Sequence, residues 1–257
     1  MQSIKPTIQT FADPEHLAQA AVARFVQLAE EAIAARGLFT VALSGGSTPK
    51  RLYQLLATPE WCNQVSWNRV HLFWGDERHV PIDHPDSNYR MVRENLIDRV
   101  PIPATNIHRI RAENPDADQA ASDYEQELRL LFELTDNELP QFDVVFLGMG
   151  SNGHTASLFP GTGAIFEQKH LVVASWIEEF KSDHITLTPP VINNAVQIIF
   201  FVTGTEKAAT LKAVLEGQYQ PDRLPTQIIR PTQGKVVWMV DQAAASLLST
   251  AVSLTPG

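Results

Sequence analysis

Residues 142–161 read FDVVFLGMGSNGHTASLFPG, an apolar run that breaks into glycines, one histidine and a second glycine stop. A run this short and this apolar fits a strand buried on both faces of a parallel sheet. It delivers the chain into Gly148, Gly150 and Gly153 at the carboxyl end of that strand, where open α/β sheets place their ligands. Glycines there allow backbone shapes that turn main-chain N–H groups outward. His154 is the only ionisable side chain in the break, and an imidazole at such a place either serves as a general base near neutral pH or caps the following turn.

The same pattern recurs along the chain. Apolar residues at Leu17, Ala21, Phe25, Leu28 and Ala32 predict an amphipathic helix over Pro14–Arg36, with Asp13 as N-cap and Gly37 as stop. Phe39–Leu43 reads as a buried strand that breaks into SGGSTP before a helix carrying Leu52, Leu55 and Leu56. Thr48 is expected to cap that helix with Pro49 in its first turn, leaving free N–H groups and the positive dipole end facing the turn. Such an end either binds phosphate or is a plain tight turn. The sequence GGSTPK has neither Walker A spacing nor the third glycine of a dinucleotide fingerprint.

Residues 69–74 read as the next strand, after which Asp76, Glu77 and Arg78 leave its end together. They are either solvated or form a ligand-binding group in which the two acids hold an arginine fork suited to phosphate. Ser87 is expected to cap a helix over residues 88–99, and a further helix carries Tyr124, Leu128 and Leu131 before Pro140. Residues 171–174 and 185–187 read as short strands around an irregular charged loop with Glu178, Glu179, Lys181, Asp183 and His184. Lys181 and His184 are within reach of a shared pocket or belong to a wet loop. Residues 198–202 form a buried strand followed by a helix with Lys207 near its first turn, a place disfavoured for a cation unless it is solvated or meets a bound anion. Residues 236–240 supply a last strand, with Asp241 capping a closing helix that contains Leu248.

These alternations predict an α/β fold: one three-layer domain over residues 1–257, with a mostly parallel, Rossmann-like sheet, helices on both faces and the glycine breaks converging on one rim. Twenty basic residues against twenty-nine acidic ones give a net charge of -9, which works against nucleic-acid or anionic-membrane binding and requires a local basic pocket for any anionic ligand. The single cysteine, Cys62, excludes an intramolecular disulfide or a cysteine zinc cluster and suits a reducing cytoplasm. The first residues show no export signal and no run spans a membrane, so the expected setting is cytoplasmic.

Five blocks, VALSGGSTPKRLY, FWGDERHVPIDHPDSNYRM, FDVVFLGMGSNGHTASLFPG, ITLTPPVINNA and FVTGTEKA, together resemble the 6-phosphogluconolactonase family over nearly the whole chain. The resemblance implies hydrolysis of 6-phospho-D-glucono-1,5-lactone in the oxidative pentose phosphate pathway, with no metal and no cofactor. It implies His154 as general base with Asn152 beside it. Gly45, Gly46, Ser47, Asp76, Arg78, Gly150, Gly153, Lys181, His184 and Lys207 are the expected substrate and phosphate contacts, and the 148–153 loop supplies candidate oxyanion donors. A small sugar-phosphate lactone is the expected partner, with the oligomeric state open and a monomer favoured. Two residues depart from the family pattern: Asn152 stands where an acid is common, and His184 where an arginine is common. Related glucosamine-6-phosphate deaminases carry phenylalanine, asparagine and glutamate after the histidine, whereas here Thr155, Ala156, Ser157, Leu158 and Phe159 follow. A non-catalytic sugar-phosphate sensor is the remaining alternative, and the helix after Asp13 leaves no room for a DNA-binding module before the first core strand.

Overall fold

The computed structural model describes residues 7–249 and the backbone of residues 254–256. Strand β1 (Thr7–Phe11) precedes α1 (Pro14–Arg36), whose ends are set as the sequence predicts. Asp13 Oδ1 accepts from the N–H groups of Glu15 and His16, and Gly37 at φ 82° closes the helix by donating to Ile33 O. Then follow β2 (Phe39–Leu43), α2 (Ser47–Leu56), the single turn α3 (Pro59–Cys62), β3 (Val70–Trp74), β4 (Asp76–Arg78), α4 (Asn88–Asn95), β5 (Ile107–His108) and α5 (Ala117–Leu131). The second half holds β6 (Val144–Gly148), β7 (Val172–Ile177), β8 (Ser182–Leu187), α6 (Pro189–Asn193), β9 (Gln197–Val202), α7 (Ala208–Glu216), β10 (Lys235–Asp241), α8 (Gln242–Ala245) and β11 (Leu254–Pro256).

Eight strands form one sheet in the order β11-β1-β10-β9-β6-β2-β3-β5, and every pairing in it is parallel. Strands β2 and β9 are buried at every residue, the signature of a sheet covered on both faces. Phe25 ties α1 to the sheet by meeting Phe39 edge-on at 5.3 Å, and burying such a ring contributes about 2–3 kcal/mol. From β2 the chain builds outward through β3 and β5. It then returns to β6 on the other side of β2 and builds through β9 and β10. The β2/β6 pair is therefore the topological switch point, and a ligand crevice is expected beyond the carboxyl ends of these two strands.

The structure corrects several local expectations. Strand β1 falls where the sequence shows only a short mixed segment. Residues 76–78 and 182–184 are not loops; β4, β8 and β7 form a second, antiparallel sheet of three strands. The helix after Ser87 ends at Asn95, because Leu96 leaves helical geometry at φ -136°, and the helix carrying Tyr124 ends at Leu131, well before Pro140. Leu248 lies beyond α8, although Asp241 does cap that turn by accepting from the Ala244 N–H at 2.7 Å. Among the described residues, no helix is long and apolar enough to cross a membrane.

Candidate active site

The turn after β2 forms the first wall of the crevice. Gly46 is the N-cap of α2 at φ 103°, a positive φ that suits glycine, and among the described residues no side chain caps the helix. The expected Thr48 cap is not made, because the helix already begins at Ser47; the Thr48 hydroxyl pairs instead with that of Thr203 at 2.9 Å. The open dipole end of α2 is thereby left for an anion. A Cβ on Gly45 would overlap the Asn88 side chain, which lies against the turn and donates from Nδ2 to Asp76 O at 2.9 Å. The backbone of Ser44 is fixed on both sides by the Tyr53 hydroxyl, which accepts from its N–H at 3.2 Å and donates to its carbonyl at 2.9 Å. Ser44 lines the crevice, and its buried Oγ has no hydrogen-bond partner among the described residues.

The small antiparallel sheet forms the second wall. Arg78 stands opposite His184 and Asp76 opposite Thr186, so these four share one face by the two-residue period of a strand, while Glu77 and Ile185 share the other. Glu77 is structural. Its buried carboxylate accepts from the N–H groups of Arg78, Asn88 and Tyr89 and from the Ser87 hydroxyl, fixing the start of α4, while burial pushes its carboxyl up to about 7. The acids do not hold the arginine as expected: the Arg78 guanidinium donates to Asp86 O and, among the described residues, pairs with no carboxylate. Asp76 Oδ2 instead accepts from the Ser157 hydroxyl at 2.7 Å, and Ser157 Oγ receives His184 Nδ1 at 3.0 Å. Ser157 is fully buried, and nothing in the sequence sets it apart from a packing serine.

The third wall is the loop after β6. Gly150 N–H donates to His154 O, Gly153 N–H to Gly150 O, and the Thr155 hydroxyl to Gly148 O. The N–H groups of Gly150 and Gly153 are thus bonded inside the loop and are not the outward oxyanion donors expected of them. Gly150 leaves room for the His154 ring, which a Cβ there would strike. That ring stacks on Phe159 with centroids 4.1 Å apart. Asn152 Oδ1 lies 2.6 Å from His154 Nδ1 and also accepts the His154 N–H at 3.1 Å, while Asn152 Nδ2 faces Glu179 Oε2 at 3.4 Å. This network assigns the proton to Nδ1 and the lone pair to Nε2, which has no protein partner among the described residues. Burial, above all, depresses the imidazole pKa to about 4; Asp76 opposes the shift, and Lys207, His184 and Arg78 add to it.

These walls enclose a crevice of about 220 Å³ beyond the ends of β2 and β6, into which Lys207 also projects from the turn after β9. Gly45, Gly46, Asp76, Arg78, Gly150, His154 and Lys207 meet there as expected. Ser44, Asn88 and Met149 join them unexpectedly, and an asparagine opening a helix after Pro-Asp-Ser is a signal that could have found Asn88. Asn152 stands behind His154, and Ser47 is exposed at the start of α2. Gly153 packs against Leu224, and Lys181 is exposed in the β7–β8 turn at φ 48°. His184 lies behind the wall, stacked on Phe180 at 5.4 Å, and burial with the nearby Arg78 charge depresses its pKa to about 4. A larger hollow of about 530 Å³ elsewhere is lined by Asp116, Asp118 and Asp183, the wrong charge for a phosphate.

The family described as glucosamine-6-phosphate isomerases/6-phosphogluconolactonase matches residues 12–238. A 6-phosphogluconolactonase from Synechocystis sp. is 38% identical over 243 residues, which cover 95% of this chain and 98% of the relative. One from Nostoc sp. is 39% identical over 246 residues, covering 96% and 100%. Among solved structures, the 6-phosphogluconolactonase of Trypanosoma brucei superposes with a TM-score of 0.87 at 32% identity, over 96% of this chain and all of the other.

Proposed function

Since the chain belongs to the glucosamine-6-phosphate isomerase/6-phosphogluconolactonase family, we propose that it hydrolyses 6-phospho-D-glucono-1,5-lactone to 6-phospho-D-gluconate, with His154 as the general base. The observation that carries this reading is the placement of a neutral histidine, its Nε2 free, in one small crevice with two cations that have no carboxylate partner among the described residues, Arg78 and Lys207. An ester carbonyl attacked by water needs a proton acceptor, a route for the proton to the departing ring oxygen, and a fixed ring position. His154 Nε2 takes a proton from water as the oxygen bonds to C1. The resulting imidazolium then gives that proton to the ring oxygen as the C1–O bond breaks, and the imidazole is restored.

Arg78, Lys207 and the open end of α2 bind the phosphate, and Ser44 Oγ and the Asn88 side chain contact the remainder of the substrate. Because the phosphate is remote from C1, its binding energy places the carbonyl beside the base. Phosphate binding also acts on the base itself. Beside burial, which is the main cause, the Lys207 and Arg78 charges help hold the His154 pKa down in the free enzyme, so a dianion between them moves it back up, toward the working pH where general-base catalysis is most effective. The reading includes the whole chain acting as one domain in a cytoplasmic setting, and Cys62 as a lone free thiol fits a reducing compartment.

The test is proton release from freshly generated lactone, measured above its spontaneous opening, alongside ammonia release from glucosamine 6-phosphate. Acceleration of the first and none of the second is expected. Binding of 6-phosphogluconate without acceleration would replace the lactonase with a sensor, and ammonia release would replace it with a deaminase.

A further inference from the structure

The geometry points to Glu179 as a positioning residue that, acting through the Asn152 amide, holds His154 in the tautomer with a free Nε2. The inference deepens the proposed function and rests on His154 acting at Nε2. An asparagine amide has an accepting and a donating edge, and which edge faces the imidazole decides where the ring proton resides. Here Oδ1 faces Nδ1, so Nδ1 carries the proton and Nε2 looks into the crevice as a base. Rotated by half a turn, the amide would present Nδ2 to Nδ1. The proton would then move to Nε2, and the lone pair would point at the amide instead of at water.

Two groups oppose that rotation. The His154 N–H donates to Oδ1 at 3.1 Å, and Glu179, whose ionised carboxylate can only accept, faces Nδ2 at 3.4 Å. In the rotated amide, Oδ1 would confront the carboxylate. Glu179 sits in the β7–β8 turn, where the Phe180 N–H donates to Ile177 O at 3.1 Å. The Phe180 ring stacks on His184 and meets Phe159 edge-on at 5.8 Å, and Phe159 in turn carries the His154 ring. The turn that presents the carboxylate is therefore joined to the aromatic stack that supports the base.

The experiment uses the full chain labelled with ¹⁵N. It reads the His154 ring-nitrogen shifts at neutral pH, assigned by their loss in His154→Ala, together with kcat and KM for the lactone. Glu179→Lys presents only donors to the amide and is compared with Glu178→Lys. The latter makes the same charge change in the same turn, at a residue that bonds the Trp176 indole and not Asn152. Glu179→Lys is expected to move the shifts toward the Nε2–H tautomer and to lower kcat about two- to tenfold beyond Glu178→Lys, the size of one lost hydrogen bond. Glu179→Gln, which keeps an acceptor, is expected to retain the wild-type signature. Wild-type shifts and equal kcat in the two lysine variants would overturn the inference. Should the wild type fail to open the lactone, the proposed activity falls while the nitrogen shifts still decide whether Glu179 sets the tautomer.

Discussion

Arg78 stands directly opposite His184 in the antiparallel pairing of β4 with β8, yet only Arg78 reaches the crevice. His184 turns its Nδ1 to Ser157 and is held neutral behind the wall. On the proposed reading, the anion contact on this face therefore falls to Arg78. Arg78→Ala is expected chiefly to raise KM, by about ten- to a hundredfold, with a smaller fall in kcat because the phosphate also positions the carbonyl beside the base. Arg78→Lys should recover only part of it, since an ammonium lacks the planar fork. Steady-state kinetics on the lactone check this, and a lower kcat at unchanged KM would move Arg78 into the chemistry.

Asn152→Asp places a carboxylate where an amide now holds His154 Nδ1. In the proposed mechanism the catalytic form is the neutral imidazole, so activity is expected to rise with pH through its pKa, about 4 in the free enzyme. A neighbouring negative charge favours the imidazolium and raises that pKa. The acid limb of kcat/KM is expected to move to higher pH in the variant, leaving it weaker than the wild type near pH 5 and comparable near pH 8. An unmoved limb would show that Asn152 does not face the titrating group.

Gly150→Ala and Gly148→Ala separate packing from loop flexibility. A Cβ at Gly150 runs into the His154 ring, whereas one at Gly148 meets nothing within 4 Å among the described residues. Gly150→Ala should lower kcat by at least about tenfold, because misplacing a catalytic group by about 1 Å costs that much or more. Gly148→Ala should remain close to wild type. Equal losses would show that the ring's seat on Gly150 is not what the reaction depends on.

Much of this was legible in the residues. The apolar stripe of α1, its Asp13 and Gly37 ends, and the glycine breaks after β2 and β6 place the crevice on the correct rim, because hydrophobic period and helix caps are local signals. The sheet of β4, β8 and β7 was legible only in part: residues 171–174 and 185–187 read as short strands, and β7 and β8 contain most of them. Asp76–Arg78 and the Ser182–His184 start of β8 are short and charged or polar, so nothing local marked them as paired strands until the fold turns Asp76 and His184 onto Ser157. Thr48 met the compositional rule for an N-cap, but the helix begins at Ser47 with Gly46 as its N-cap, which leaves Thr48 inside the first turn with its hydroxyl on that of Thr203, 155 residues away. Ser44 and Ser157 differ from ordinary core serines only in what surrounds them, which no local pattern encodes.

His154 and His184 both have folded-state pKa values depressed to about 4 from an ordinary 6.5. Between those values the unfolded chain binds more protons than the folded one, so stability is full above about 6.5 and is lost as pH falls toward 4. Each histidine steepens that loss by at most about 1.4 kcal/mol per pH unit. Urea unfolding from pH 7 to 4.5 should show a shallower decline for His184→Gln than for the wild type. Parallel declines would mean that His184 is not buried neutral.

The central claim, that His154 Nε2 takes the proton from water, is tested most directly by proton release from fresh 6-phosphogluconolactone with wild type and with His154→Ala, the variant's fold checked by circular dichroism. The account predicts a fall in kcat of about two to four orders of magnitude for the folded variant. A folded His154→Ala protein that opens the lactone at the wild-type rate would contradict it, and Asp76, the acid that lines the crevice among the described residues, would then take the role of base.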